Sequence, residues 1–185
     1  LEAAEANGTF GALVRLLLLT AQRREKVVTM RPSDLSPDGV WQIPSEDREK
    51  SNAGELKLPE QALAIIKAQP KLASNDYVFA GRGGGPINGF SKLKHAFDQA
   101  AGVCGWTLHD LRRTARSLMS RAGVLSEHSE RVLGHAVKGV EGTYDVYDYG
   151  PEKAAAVAKL AQLVEQIVCG EPDDPAQNVV PIVRA

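Results

Sequence analysis

The densest run of apolar positions lies at residues 10–19, where Arg15 is the lone charge. Apolar side chains on nearly every side of a helical projection predict a helix buried all round, not a surface helix with one greasy stripe. Thr20 is placed to cap a second short helix reaching about Met30, and Pro32 stops it. Three short extended pieces follow, at 33–35, 40–43 and 55–58. The second comes after the turn Pro37-Asp38-Gly39, and the third alternates polar with apolar residues and ends at Pro59. The charged stretch 45–52 between the last two reads as the tip of a long hairpin.

Beyond Pro59, which sits where a helix begins, helical spacing runs through Leu63, Ile65 and Ile66 over 60–69. A brief extended run at 77–79 leads into the glycine-rich loop 81–85. Residues 90–101 place Leu93, Ala96, Phe97 and Ala100 on one helical face. Helices are then predicted at 109–122, 126–133 and 151–168, with a shorter helical stretch around Tyr144. Strands and helices do not alternate as they do in a parallel sheet. The pattern predicts a mainly α (α+β) fold: a bundle-like helical domain with a small antiparallel three-stranded sheet.

Composition adds bounds. With 43% hydrophobic residues the chain can bury a sizeable core, and with only 5% aromatic residues that core is built from Leu, Val, Ile and Ala. A net charge of −1 excludes a uniformly basic nucleic-acid binder. The average hides a basic stretch, however: between Thr107 and Arg121, Arg112, Arg113, Arg116 and Arg121 face Asp110 alone. The end is acidic, with Glu171, Asp173 and Asp174 against Arg184. The expected organisation is one domain over 1–169 and a mobile or docking tail over 170–185, where 179–183 is a candidate docking strand. Cys104 and Cys169 lack paired spacing, which points to a reducing, cytoplasmic compartment. The run Leu16–Leu19 is far too short to span a bilayer. No leader is visible, and the start at Leu1 is expected to be a cut from something longer.

Three motifs carry candidate chemistry. In His109-Asp110-Leu111-Arg112-Arg113-Thr114, His109 and Arg112 are three apart and share a helix face. That face offers a proton acceptor beside a fixed cation whose planar donors fit phosphate oxygens. The bland alternative is a solvated basic face. Thr20-Ala21-Gln22-Arg23-Arg24-Glu25-Lys26 puts two arginines directly after a very apolar helix, where unpartnered charge is expensive; a helix end facing water is the rival reading. Leu133-Gly134-His135 is followed nine residues later by Tyr144, with Tyr147 and Tyr149 close by. The loop 81–85 lacks the lysine of a phosphate-binding loop, and no GKS, GKT or carboxylate cluster with metal-ligand spacing occurs. His95 and His128 read as surface histidines, and helix 151–168 as packing or as contact with a neighbouring protomer.

Together, in this order and spacing, these pieces resemble the tyrosine recombinase (phage integrase) family over roughly residues 10–168. The stretches Ile87-Asn88-Gly89-Phe90-Ser91-Lys92-Leu93-Lys94, His109–Thr114 and Gly142-Thr143-Tyr144-Asp145 are most similar to P4-type integrases of prophages and genomic islands. The resemblance implies site-specific DNA integration and recombination by strand cleavage and rejoining through a covalent 3′-phosphotyrosine link. It assigns Arg23 and Arg112 to the non-bridging oxygens of the scissile phosphate, Tyr144 to attack, His109 to general base and His135 to a hydrogen bond on the phosphate. Lys50, on the hairpin, takes the place of the general acid; it lies one residue further from Pro59 than the common spacing, with Lys57 and Lys26 as rivals.

The implied partners are double-stranded DNA attachment (core) sites, further protomers forming a tetramer on DNA, and accessory DNA-bending or directionality factors. No cofactor, metal or membrane is implied. The resemblance also implies an upstream DNA-binding region that completes a clamp, so that these residues alone bind DNA weakly, with a steep dependence on salt. The sequence departs from the family at two positions. Ala21 stands where Gly is usual, and Lys26 stands where an acid is usual, with Glu25 one residue away. A one-residue shift turns a side chain about 100° around a helix. Two alternatives follow: a DNA-binding relic that has lost cleavage, and a type IB topoisomerase using the same chemistry without site specificity.

Overall fold

A computed structural model describes residues 4, 7–45, 53–135 and 147–170. Among these are seven α-helices and one small sheet. In chain order they are α1 (Gly8–Thr20), α2 (Arg24–Val28), strands β1 (Val40–Gln42) and β2 (Glu55–Lys57), α3 (Glu60–Lys67), α4 (Phe90–Ala101), α5 (Leu108–Arg121), α6 (Ser126–Leu133) and α7 (Gly150–Cys169).

Helix α1 is the hub, as its apolar run requires. Leu13, Leu16 and Leu17 are at most 2% exposed. Burial of each such side chain contributes about 1.5–3 kcal/mol. The helix packs against α2, α3, α5 and α7, and α7 in turn covers α5, α6 and β2. Trp41 of β1, Phe79 and Met119 of α5 complete the same core.

The second helix starts later than the sequence suggests. Thr20 does not cap it; the residue closes α1, because its hydroxyl turns back to donate to the Leu16 carbonyl at 2.8 Å. Ala21 then ends α1 in the left-handed region at φ 55°. Arg23 is extended and serves as the N-cap position of α2.

The first extended piece contributes only a single bridge, Leu35 to Trp41. Pro32 fixes the start of a 3₁₀ turn over Pro32–Asp34, so the continuous ladder has two strands. These are antiparallel, with Trp41 opposite Leu56. Residues 78–79 form a turn in place of the predicted extended run, and the glycine loop is closed by a bridge between Ala80 and Pro86. On α4 only Phe97 of the predicted face is buried; Ala96 and Ala100 are exposed. Both cysteines are exposed and unpaired. No described helix is long and apolar enough to cross a membrane.

Candidate active site

Three of the candidate residues line one cleft. Arg23, His109 and Arg112 meet there in a cavity of about 590 Å³, together with Gln22, Arg24 and Lys94. Each arrives by a local device. Helix α5 begins at a fixed point because Asp110 accepts from the Thr107 backbone N–H at 2.9 Å and from its hydroxyl at 2.7 Å. The Thr107 hydroxyl holds the Asp110 carboxyl below its ordinary range, with the Thr107 backbone N–H and Arg113 adding to the effect. This cap sets His109 in the first turn, exposed at the mouth, with Arg112 one turn deeper.

Arg112 is buried at 6% exposure, and its guanidinium links the loops around it. Nη1 donates to the Ala21 carbonyl at 2.7 Å, and Nη2 donates to the Leu133 carbonyl at 2.5 Å. Nη2 also lies 3.2 Å from Nε2 of His135. The buried Gln22 side chain adds a parallel tie, donating to the Val132 carbonyl at 2.7 Å. The segment that presents Arg23 is thus bound to both α5 and the end of α6.

His135 follows a glycine stop. Gly134 ends α6 in the left-handed region at φ 66°, a conformation that costs a residue with a Cβ. The chain turns back so that the His135 N–H donates to the Glu130 carbonyl at 3.0 Å. The same turn brings His135 Nδ1 to the Glu130 carboxylate at 2.5 Å. Arg116 holds the other carboxylate oxygen at 2.8 Å and also reaches Ser126 and Ser120. Partial burial pushes the Glu130 carboxyl up, but the hydrogen bonds of Arg116 and His135 outweigh it and leave the group below its ordinary value.

The lysine candidates separate. Lys26 is buried and donates to the Pro44 carbonyl at 2.7 Å, so it braces α2 against the end of β1. Glu25 is exposed and pairs with Arg24, away from the position of the usual acid. Lys57 is bound to the Asp38 carbonyl and pairs with its carboxylate at 3.6 Å. Lys50 and Tyr144 lie outside the described residues. The residues flanking those segments are joined, however: buried Lys153 of α7 donates to the Ala53 carbonyl at 2.9 Å and pairs with Asp148 at 3.6 Å. Neither of the neighbouring tyrosines lines the cleft. Tyr149 packs under Arg131 at 4.0 Å, and the charge of Glu152 raises the Tyr147 phenol above its ordinary value, with burial, the Glu152 hydrogen bond and Asp148 adding to the shift. His95 is exposed, and His128 lies against Tyr149.

Sequence reasoning gave no role of their own to Gln22, Glu130, Arg116 and Lys153, although Gln22 stands within the arginine motif, Arg116 within the basic stretch and Glu130 five positions before His135.

The fold is similar to that of an integrase from mycobacterium phage Brujita. The two structures superpose with a TM-score of 0.61 at 20% identity, covering 86% of this chain and 56% of that one. The chain therefore spans little more than half the length of that protein. The model of the phage integrase family matches residues 4–147, and the chain belongs to that family. Comparison with curated proteins finds no match.

Proposed function

We propose that this chain recombines DNA at a specific core site by cutting and rejoining strands through a 3′-phosphotyrosine bond to Tyr144. Residues 1–169 form the catalytic domain in this reading, and 170–185 the tail. The observation that supports it best is the convergence of Arg23, His109 and Arg112 on one cleft, with His135 hydrogen-bonded to Arg112.

A phosphodiester under attack gains charge on its non-bridging oxygens. Two preplaced guanidiniums stabilise that charge more than the ground state, each worth about 10²–10³ in rate. His109, at the mouth, takes the proton of the Tyr144 phenol as its oxygen attacks phosphorus. His135 supplies a further hydrogen bond to the phosphate. Lys50 protonates the leaving 5′-oxygen. The tyrosyl ester conserves the energy of the broken bond, so the 5′-hydroxyl of a partner strand re-forms the backbone by the reverse reaction and releases the phenol. The exchange of strands calls for further protomers on double-stranded DNA, in a tetramer, with accessory bending or directionality proteins.

The test is incubation with a nicked suicide substrate carrying the cognate core site. A covalent protein–DNA adduct that is absent from Tyr144→Phe is expected. A second reading, a DNA-binding relic without cleavage, is favoured by one observation: Lys26 fills the place of the usual acid and is spent on the Pro44 carbonyl. It predicts tight, salt-sensitive binding and no adduct. Relaxation of plasmids that lack any core site would instead mark a topoisomerase.

A further inference from the structure

We infer that Glu130 is a positioning residue that decides which nitrogen of His135 carries the ring proton. The inference rests on reading His135 as a phosphate-binding group, and it adds a residue that no motif marks.

The argument is one of donors and acceptors. A guanidinium has only N–H donors. Nη2 of Arg112, 3.2 Å from Nε2 of His135, therefore requires a lone pair on Nε2. In a neutral imidazole the proton then sits on Nδ1, where the Glu130 carboxylate lies at 2.5 Å to accept it. Arg112 has two hydrogens on Nη2, one for Leu133 and one for His135, so the count closes.

The carboxylate itself is not free to swing. Arg116 grips its second oxygen at 2.8 Å and is itself held by Ser126 at 2.8 Å. Through the backbone, the Glu130 carbonyl accepts from the His135 N–H at 3.0 Å, so ring and carboxylate are anchored to the same pair of residues. A histidine held in this way presents Nε2 to Arg112 in one orientation; donating to a phosphate oxygen then requires a second proton on the ring, whose charge Glu130 balances. Without Glu130 the half-exposed ring exchanges between tautomers and rotamers.

Two measurements test this in the intact chain. The first is ¹⁵N NMR of histidine-labelled protein at about pH 8.5, where imidazoles are neutral. The wild type is expected to show Nδ1 protonated, Glu130→Gln to keep that pattern through its amide oxygen, and Glu130→Ala to move both resonances toward the averaged values of a free histidine. A wild-type proton on Nε2, or an alanine spectrum identical to wild type, overturns the inference.

The second is adduct formation on the nicked core-site substrate. Glu130→Ala is expected to slow it on the order of tenfold, the lower end of the rate equivalent of one lost hydrogen bond to a charged group. Glu130→Gln is expected to recover part of that loss. In a His135→Ala background, Glu130→Ala is expected to add nothing, whereas additive losses would overturn the inference. If the wild type forms no adduct, the proposed reaction fails, while the NMR result still decides the role of Glu130.

Discussion

The guanidinium of Arg112 donates to the carbonyl of Ala21 across 2.7 Å, although the two residues lie 91 positions apart in the chain. The same side chain reaches the carbonyl of Leu133, 21 positions further on. One buried cation thus closes the loop that presents Arg23 against the loop that presents His135. Arg112 is a structural strut as well as a candidate phosphate ligand.

The two arginines should therefore respond differently to substitution. Arg112→Lys lacks the planar fork that spans two carbonyls and is expected to cost about 1–3 kcal/mol of stability, because buried acceptors lose their donors. Arg23→Ala, at a half-buried site, is expected to cost about 0.5–1 kcal/mol or less. Both should lower adduct formation by about 10²–10³. Urea unfolding alongside the adduct assay separates the effects, and equal destabilisation by the two variants would refute the strut.

Ala21 is fully buried and sits at φ 55°. A left-handed conformation costs a residue with a Cβ about 1–2 kcal/mol, and a β-branched one more. Ala21→Gly is expected to raise the melting temperature modestly, offset in part by the greater freedom of glycine in the unfolded chain. Ala21→Val is expected to lower it by several degrees and to displace the carbonyl that Arg112 holds. Thermal melts of the two variants check the opposite signs.

The lowered carboxyl of Glu130 ties stability to pH with a definite sign. Its folded value lies below the ordinary 4.5. The stabilisation it supplies is therefore full above 4.5 and is lost as pH falls through the lower, folded value. Urea midpoints measured from pH 6 down to about 3 should show a steeper acid limb in wild type than in Glu130→Gln. Parallel curves would mean that the pairing with Arg116 and His135 contributes nothing.

Lys153 joins the hairpin base to the segment that follows residue 146. Lys153→Met keeps the apolar stem and removes the donor to Ala53. Local opening is expected at the base of the hairpin, where the Ile43 N–H donates to the Gly54 carbonyl at 3.0 Å. Hydrogen exchange at Ile43 should quicken by about tenfold or more while amides of α1 keep their protection. Uniform acceleration across the chain would indicate a global effect instead.

Local rules made much of this molecule legible. The buried helix α1 and the spans of α5 and α6 follow from the spacing and type of neighbouring residues; the Thr107–Asp110 cap and the Gly134 stop that bound them are short-range too, but only the structure singled them out. Spacing and type also mark the arginine and histidine motifs, whose order along the chain resembles one family. Misreadings came where a short-range rule had a competitor. Thr20 bonds backward to Leu16 where capping forward was expected, and Pro32 curls the first extended piece into a 3₁₀ turn.

Only the tertiary structure chose partners. That Lys26 is spent on Pro44, that Glu130 holds His135, and that Lys153 reaches Ala53 100 positions away depends on which loops the core of α1, α5 and α7 brings together. A sequence specifies the hydrogen-bonding capacity of each side chain. Which acceptor a buried donor meets is settled by packing, because desolvation makes every unpaired group costly and the fold must supply a partner from whatever backbone lies within reach.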